Sequence, residues 1–336
     1  MDRRNLASAR RAWRSPVLRS LAYQLIAAVA IGLTVWFLAS NVVHNMRLRG
    51  IQSGFDFLAQ PAGFDIGESL IAFDSARSYG RAFAAGFFNT LRVAGVAIVL
   101  TTLLGTLLGI GRFSGSVLVR GLCHVYVEFF RNTPVLLQLL MWYLLMTEFL
   151  PSSAEAWAAG PFFLSKGGFS VPLPAWSAAT ASLVFELPHR GEFSIEGGAA
   201  LTPEFMALAI GLTTYTAAFV AEIVRAGIRS VPRGQGEAAA ALGLSRGQEM
   251  RLVTLPQALR VMVPPLTSQF LNITKNSSLA VAIGYPDLVS IANTSMNQTG
   301  RALECISIVM AVYLVVSLIT SALMNRYNAR SLIKER

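Results

Sequence analysis

The sequence has little charge: Asp, Glu, Lys and Arg make up 14% of its 336 residues, whereas hydrophobic residues make up 54%. Soluble globular domains carry about 25% charged residues. A chain this apolar cannot cover an ordinary soluble surface. The composition therefore predicts that much of the chain faces lipid.

Cysteine and histidine are also rare, with two and three copies respectively. Cys123 and Cys305 fall in or beside apolar runs, which indicates neither a disulfide framework nor a metal cluster. The histidines lack metal-ligand spacing, and the few ionisable residues do not form the set that a membrane-embedded enzyme needs. The sequence predicts no catalytic residue and no metal site.

Long runs without charge are abundant, and about 20 apolar residues suffice for a helix to cross the hydrocarbon core. Six runs meet or approach that length, and the fifth is interrupted only by Lys275: Ser20–Met46, Val93–Gly111, Asn132–Thr147, Phe205–Ala221, Val261–Tyr285 and Cys305–Asn325. The first is too long for the apolar part of a signal peptide, so we expect an uncleaved anchor. The predicted class is an all-α integral membrane protein with about six transmembrane helices.

Basic residues set the orientation, because cytoplasmic loops retain Lys and Arg. They form an N-terminal group (Arg3, Arg4, Arg10, Arg11, Arg14, Arg19), an internal group (Arg225, Arg229, Arg233, Arg246, Arg251, Arg260) and a C-terminal group (Arg326, Arg330, Lys334, Arg336). We expect both termini and the internal group in the cytoplasm, and the stretch with Glu186, Glu192 and Glu196 outside. The arginines lie at span ends, so the net charge of +10 does not indicate a nucleic-acid partner.

The predicted organisation has three parts. Residues 1–82 hold a basic tail, the anchor helix and an outside loop; residues 83–326 hold a five-helix core; residues 327–336 form a cytoplasmic tail. The core contains an outside insertion at about 150–203 and a cytoplasmic loop at about 230–256. An apolar patch in the insertion is too short and too rich in proline for a seventh span, so we expect a surface loop there.

The cytoplasmic loop carries the most informative motif, EAAAALGLSRGQEMRLVTLP, from Glu237 to Pro256. Pro232 and Gly234 break the preceding helix. The Ala-rich stretch after them predicts a short helix with Glu237 in its first turn, where a carboxylate favours the positive helix end. Gly243 then allows a sharp change of direction. We predict a short docking helix fixed between two membrane helices.

This loop resembles the EAA loop of ATP-binding-cassette (ABC) importer permeases, which reads E-A-A, three residues, G, nine residues, an aliphatic residue, any residue and L-P. The matching residues are Glu237, Ala238, Ala239, Gly243, Val253, Leu255 and Pro256. The resemblance implies a type I ABC importer permease fold, with the N-terminal anchor added to the five-helix core. It also implies that this helix couples the chain to a cytoplasmic ATPase dimer.

No lysine of the chain follows the G-x-x-x-x-G-K-[ST] pattern of a phosphate-binding loop. The lysines are Lys166, Lys275 and Lys334. The resemblance therefore implies no cofactor in this chain, with ATP and Mg²⁺ held by the partner ATPase.

Residues 83–326 also resemble the polar amino-acid branch of these permeases, in NTLRVAGVAIVLTTLLGTLLGIGR from Asn89, YVEFFRNTPVLLQLL from Tyr126, TYTAAFVAEIVRAGI from Thr214 and PPLTSQFLNITKNSSL from Pro264. The anchor and the insertion look like the general L-amino-acid permeases, whose two different membrane subunits pair. The resemblance implies an L-amino-acid importer in the bacterial inner membrane, a heterodimer rather than a homodimer, and a periplasmic binding protein. Asn276 replaces a usual Asp, which removes an anionic partner near Lys275.

The fifth run contains a lysine at depth in the membrane, where charge is expensive and must face a partner or water. Lys275 and its polar neighbours Asn272, Asn276, Ser277 and Ser278 suit a passage for a zwitterion. An equally weighted alternative is a structural lysine held by an acid on another helix or by carbonyls freed at Pro264 and Pro265.

Two pairs stand three residues apart on predicted helices, so each can meet on one face. They are Glu128 with Arg131 and Glu222 with Arg225. Both lie near the predicted inner membrane boundary, which favours structural or gating ion pairs over substrate ligands.

Two other functions compete. A permease of the same type for another small polar solute fits the same motifs. An ion-coupled secondary transporter would need inverted repeats and broken helices near the midplane, and the sequence shows no repeat.

Overall fold

The computed structural model describes residues 16–48, 50, 53–177, 182–191 and 194–331. Its helices are α1 (Pro16–Leu48), α2 (Tyr79–Gly111), α3 (Val117–Asn132), α4 (Val135–Leu144), α5 (Pro203–Arg229), α6 (Arg233–Ala241), α7 (Arg246–Glu249), α8 (Leu255–Asn276), α9 (Leu288–Thr299) and α10 (Ala302–Ser331). The arginines before Pro16, together with Glu192, Lys334 and Arg336, lie outside the described residues. The helical class is confirmed.

Helix α1 belongs to a small compact unit made of residues up to Phe55 and of Gly300–Glu304. Its side chains are exposed along almost the whole helix. Within this unit the Glu304 carboxylate accepts a hydrogen bond from the Gly54 N–H at 2.7 Å. An apolar helix of 33 residues is about 50 Å long, which is more than enough to cross a bilayer.

The second compact unit, Asp56–Thr299 with Cys305–Arg336, contains the helical bundle. Helix α2 packs against α5 through two glycines that stand four residues apart. A Cβ on Gly105 would lie 2.6 Å from the Val220 side chain, and one on Gly109 would lie 2.7 Å from that of Val224. The two helices therefore pack through small residues, as membrane helices commonly do.

Among the described residues, the core of the bundle has three apolar clusters. The central one joins α2, α4 and α5 through residues such as Val93, Leu139 and Leu208. A second surrounds Phe57 and the start of α2. The third joins the ends of α5 and the start of α8 through Val224 and Met262.

Four described helices are long and apolar enough to cross a membrane: Arg19–Leu48, Tyr79–Gly111, Pro203–Arg229 and Ala302–Arg326. The second begins well before the predicted Val93. The third and fifth predicted spans are composite. Helix α4 continues into a π-helical turn, Leu145–Phe149, and α8 continues into a 3₁₀ helix, Ser277–Ile283.

The third span was predicted to start at Asn132, but the chain is not helical between Asn132 and Val135. Thr133 is extended, with φ −102° and ψ 131°, as expected before a proline. Helix α3 therefore ends there, and α4 starts after Pro134. The Gln138 amide donates to the carbonyls of Phe130 and Thr133, both at 3.0 Å, and so satisfies groups that the break leaves unpaired.

The segment before α2, predicted as an outside loop, is packed against the bundle. Phe57 contacts the rings of Tyr79 and Phe83 edge to face, at 5.5 and 6.5 Å. The Glu68 carboxylate accepts from Arg92 of α2 and from the Thr202 hydroxyl at the start of α5. This segment therefore bridges the two central helices.

The insertion contains β-strands, which the sequence did not predict. They are β1 (Trp157–Ala159), β2 (Phe162–Ser165), β3 (Gly168–Val171), β4 (Leu173–Ser177), β5 (Ser182–Glu186), β6 (His189–Arg190), β7 (Ile195–Glu196) and β8 (Ala199–Leu201). One antiparallel sheet has the order β1-β2-β3-β8, and β4-β5 and β6-β7 form separate pairs. Gly168, at φ +115°, allows the turn between β2 and β3.

Candidate coupling and passage sites

The predicted docking segment forms α6, α7 and a π-helical turn, Met250–Thr254, between the long helices α5 and α8. Helix α6 starts at Arg233 after Pro232, so Glu237 lies in its second turn rather than the predicted first turn. The cause is that Arg233, Gly234 and Gln235 are themselves helical. The Glu237 side chain is exposed.

The predicted change of direction at Gly243 is present. Gly243 has φ +78°, its N–H donates to the Ala240 carbonyl at 2.9 Å, and the Leu244 N–H donates to the Ala239 carbonyl at 3.1 Å. These two bonds form a Schellman C-cap, which favours glycine. Ser245 then caps α7 through a capping box with Gln248, which fixes the elbow between the two short helices.

The two sides of α6 differ. Ala239 is only 3% exposed and faces the chain, whereas Ala238 and Ala241 are exposed and Leu242 is 82% exposed. A cleft of about 460 Å³ beside α6 is lined by Gly236 and Glu237 together with Glu249 and Thr254 of the following segment. Leu255 and Pro256 are exposed and begin α8. The outward side of α6 can therefore meet another protein without rearrangement of the helix.

Lys275 lies at the end of α8, and its side chain is exposed. Fifteen residues of helix after Arg260 place it about 22 Å further along the bundle, which corresponds to most of the hydrocarbon thickness. No described residue forms an ion pair with Lys275 in this chain. The alternative that an acid of the same chain holds this lysine therefore finds no support among the described residues.

Lys275 continues a stripe of exposed residues along α8, at helical spacing. The stripe contains Val261, Pro264, Pro265, Ser268, Asn272 and Lys275. Polar groups that point away from the chain's own core at this depth need water or another protein, because lipid cannot solvate them.

The other predicted passage residues are less exposed. Asn276 and Ser278 are partly buried, and the Ser278 hydroxyl donates to the Lys275 carbonyl at 2.7 Å. Ser277 is fully buried, and its hydroxyl donates to the Thr274 carbonyl at 2.7 Å. Ser277 therefore lies on the core side of the segment, away from the stripe.

Glu222 and Arg225 form the predicted ion pair on α5, and Arg112 joins it. The Arg225 Nε lies 3.0 Å from each Glu222 carboxylate oxygen. Arg112, directly after α2, donates to Glu222 Oε2 at 2.5 Å. The cluster thus connects the ends of α2 and α5. Arg112 was not predicted to join this cluster. Its position at the end of a charge-free run is the feature of the sequence that could have identified it.

The predicted pair of Glu128 and Arg131 is not formed in the described structure. The guanidinium of Arg131 lies 5.5 Å from the centre of the Phe219 ring on α5. The Glu128 carbonyl accepts from the Asn132 amide at 2.8 Å. Arg131 turns to α5 because a cation over an aromatic face is also stabilising.

The sequence analysis missed the ion pair of Glu68 with Arg92, since its partners come from different segments of the chain.

Comparison with known proteins, like the fold, indicates a membrane permease subunit. The family described as "Binding-protein-dependent transport system inner membrane component" matches residues 101–334. The chain is 42% identical to the general L-amino acid transport system permease protein AapQ of Rhizobium johnstonii, over 98% of this chain and 96% of the relative. It is 40% identical to the putative amino-acid ABC transporter permease protein YhdX of Escherichia coli, over 99% of both.

Solved structures agree. A crystal structure of an amino acid ABC transporter with histidines has a TM-score of 0.55 at 27% identity, covering 75% of this chain and 95% of that one. The inward-facing MetNI methionine ABC transporter has a TM-score of 0.53 at 16% identity, covering 76% and 98%, and it is similar in fold. The chain therefore belongs to the family of inner-membrane components of binding-protein-dependent transport systems, which are multi-pass, non-enzymatic permease subunits that work with separate ATPase subunits.

Proposed function

We propose that this chain is one permease subunit of an ATP-driven importer for L-amino acids of polar or broad range. The substrate class is supported by the names of two relatives that match nearly the whole chain at 42% and 40% identity. A third relative, at 35% identity, is the glutamate/glutamine/aspartate/asparagine transport system permease protein BztB of Rhodobacter capsulatus.

The observation that carries the coupling role is the exposed outer side of α6. Glu237, Ala238 and Ala241 are exposed on a helix that lies in the loop between the membrane helices α5 and α8. An ATPase subunit that binds this side of α6 can move α5 and α8 together. ATP and Mg²⁺ belong to that ATPase dimer in this proposal.

In this proposal the substrate passage runs along the exposed stripe of α8. A second permease subunit covers the stripe, and Lys275 then faces an enclosed path where its ammonium can bind a substrate carboxylate. We favour a different second subunit over a second copy, and a periplasmic binding protein that delivers the solute. Both termini and α6 lie in the cytoplasm in this arrangement.

The test is the substitution Glu237→Arg in the complete transporter reconstituted in vesicles. We expect loss of ATP-dependent amino-acid uptake and weaker co-purification of the ATPase, because a carboxylate on the docking helix is replaced by a cation. Circular dichroism should stay unchanged, since Glu237 is exposed.

The matched control is Glu196→Arg, the same charge reversal on an exposed residue of the insertion. It should leave ATPase association unchanged. Normal uptake and normal ATPase association in the Glu237→Arg protein would reject the docking role of α6.

A further inference from the structure

A basic cleft of about 460 Å³ lies where α2, α3 and α5 meet at one end of the bundle. Its lining residues are Arg112, Val117, Arg120, Gly121, His124, Arg225 and Arg229. None of these lining residues is acidic. The cleft is separate from the cleft beside α6 and from the stripe of α8.

The arginines of the cleft have fewer acidic partners than charges. Arg112 and Arg225 share one carboxylate, that of Glu222. Arg120 donates to the Ser114 carbonyl at 3.5 Å, and the guanidinium of Arg229 lies 5.9 Å from the centre of the Phe113 ring. Four guanidinium groups therefore meet one carboxylate. Such an excess of positive charge favours a bound anion.

Helix α3 has a second feature, an exposed apolar stripe beside the arginines of the cleft. Leu118, Leu122 and Val125 stand at helical spacing and are 70%, 63% and 65% exposed. A helix with basic residues on one side and large apolar residues on the next is typical of the boundary between headgroups and acyl chains.

The position in the bundle fits that boundary. Helix α2 ends at Gly111, α5 ends at Arg229 and α3 starts at Val117, so the cleft opens where two long apolar helices leave the hydrocarbon region. A ligand here would meet guanidinium groups at one end and apolar side chains at the other.

We propose that this cleft binds the phosphate of an anionic phospholipid, with an acyl chain along Leu118, Leu122 and Val125. Basic pockets between membrane helices bind such headgroups. A soluble phosphate would use the arginines alone and leave the apolar stripe uncovered. The inference does not depend on which solute the transporter carries.

The experiment measures lipid binding to the full-length chain in detergent by native mass spectrometry, with cardiolipin, phosphatidylglycerol or phosphatidylcholine added. We expect both anionic lipids to bind in preference to phosphatidylcholine. The double variant Arg120→Gln, Arg229→Gln should lose affinity for cardiolipin by about thirty-fold, because two charges near the phosphate are removed. The double variant Arg120→Lys, Arg229→Lys keeps both charges and should retain most of the binding.

The matched control is Arg326→Gln, an exposed arginine near the end of α10 and outside the cleft, which should leave binding unchanged. Equal binding by wild type and the Gln double variant would overturn the proposal. So would equal binding of phosphatidylcholine, or displacement of cardiolipin by millimolar inorganic phosphate, which would indicate a small-anion site. Loss of ATPase association in the Gln double variant, with lipid binding intact, would assign the cleft to the ATPase instead.

Discussion

At the scale of single residues, the contacts of an ionisable group depend on more than its spacing along a helix. Glu222 and Glu128 each stand three residues before an arginine, yet only Glu222 forms an ion pair with it. The difference is the third partner: Arg112 reaches Glu222 from α2, whereas Phe219 attracts Arg131 away from Glu128.

We predict that Glu222→Gln lowers the stability of the chain by about 1–3 kcal/mol, because it removes charge-assisted hydrogen bonds to two partly buried arginines. Thermal unfolding in detergent micelles measures the change. Glu128→Gln is the control, and its exposed side chain should cost less than about 0.5 kcal/mol. Similar losses in the two variants would contradict the assignment.

Lys275 gives the second residue-scale prediction. In the reconstituted transporter, Lys275→Ala should lower the efficiency of amino-acid uptake by about tenfold or more, because the proposed passage loses the cation that would bind the substrate carboxylate. ATPase association should stay intact. Lys275→Arg should restore part of the uptake.

Lys166→Ala is the matched control, because Lys166 is exposed in the insertion between β2 and β3. Uptake kinetics should not change there. If Lys275→Ala also leaves the kinetics unchanged, Lys275 does not line the passage.

At the scale of elements, the packing of α2 against α5 depends on the absence of side chains at two glycines. The carbonyl of Ala217 would lie 2.9 Å from a Cβ on Gly105, and that of Ala221 would lie 2.9 Å from a Cβ on Gly109. Backbone atoms cannot yield as a flexible side chain can. The two glycines therefore set the distance between the helices.

We predict that Gly105→Ala destabilises the chain by about 1–3 kcal/mol through overpacking. Gly95→Ala is the control on the same helix, since nothing lies within 4 Å of its added Cβ. That variant should be neutral or gain up to about 1 kcal/mol from helix propensity. Unfolding in detergent measures both, and a stabilised Gly105→Ala protein would show that the helices can separate at no cost.

At the scale of the whole molecule, orientation follows from which loops stay in the cytoplasm. In a background with Cys123→Ser and Cys305→Ser, we predict that a membrane-impermeant maleimide labels Lys166→Cys in intact cells. Leu242→Cys should be labelled only after the membrane is opened, because the proposed topology puts the elbow after α6 in the cytoplasm. Both side chains are exposed, so access to the thiol depends on the side of the membrane. Labelling of Leu242→Cys in intact cells would reverse the topology.

The sequence by itself determined the membrane class, the approximate spans and the short helix that ends before Gly243. Charge is costly in hydrocarbon, so charge-free runs mark helices, and the turn at Gly243 is local backbone chemistry. Only the tertiary structure decided that Arg112 joins Glu222, that Ser277 faces the core, that Glu68 bridges α2 and α5, and that the insertion forms strands. The first three depend on which distant segments pack together, and residue spacing along the chain does not show that. The strands of the insertion pair largely as local hairpins, and only the folded chain shows which short segments pair.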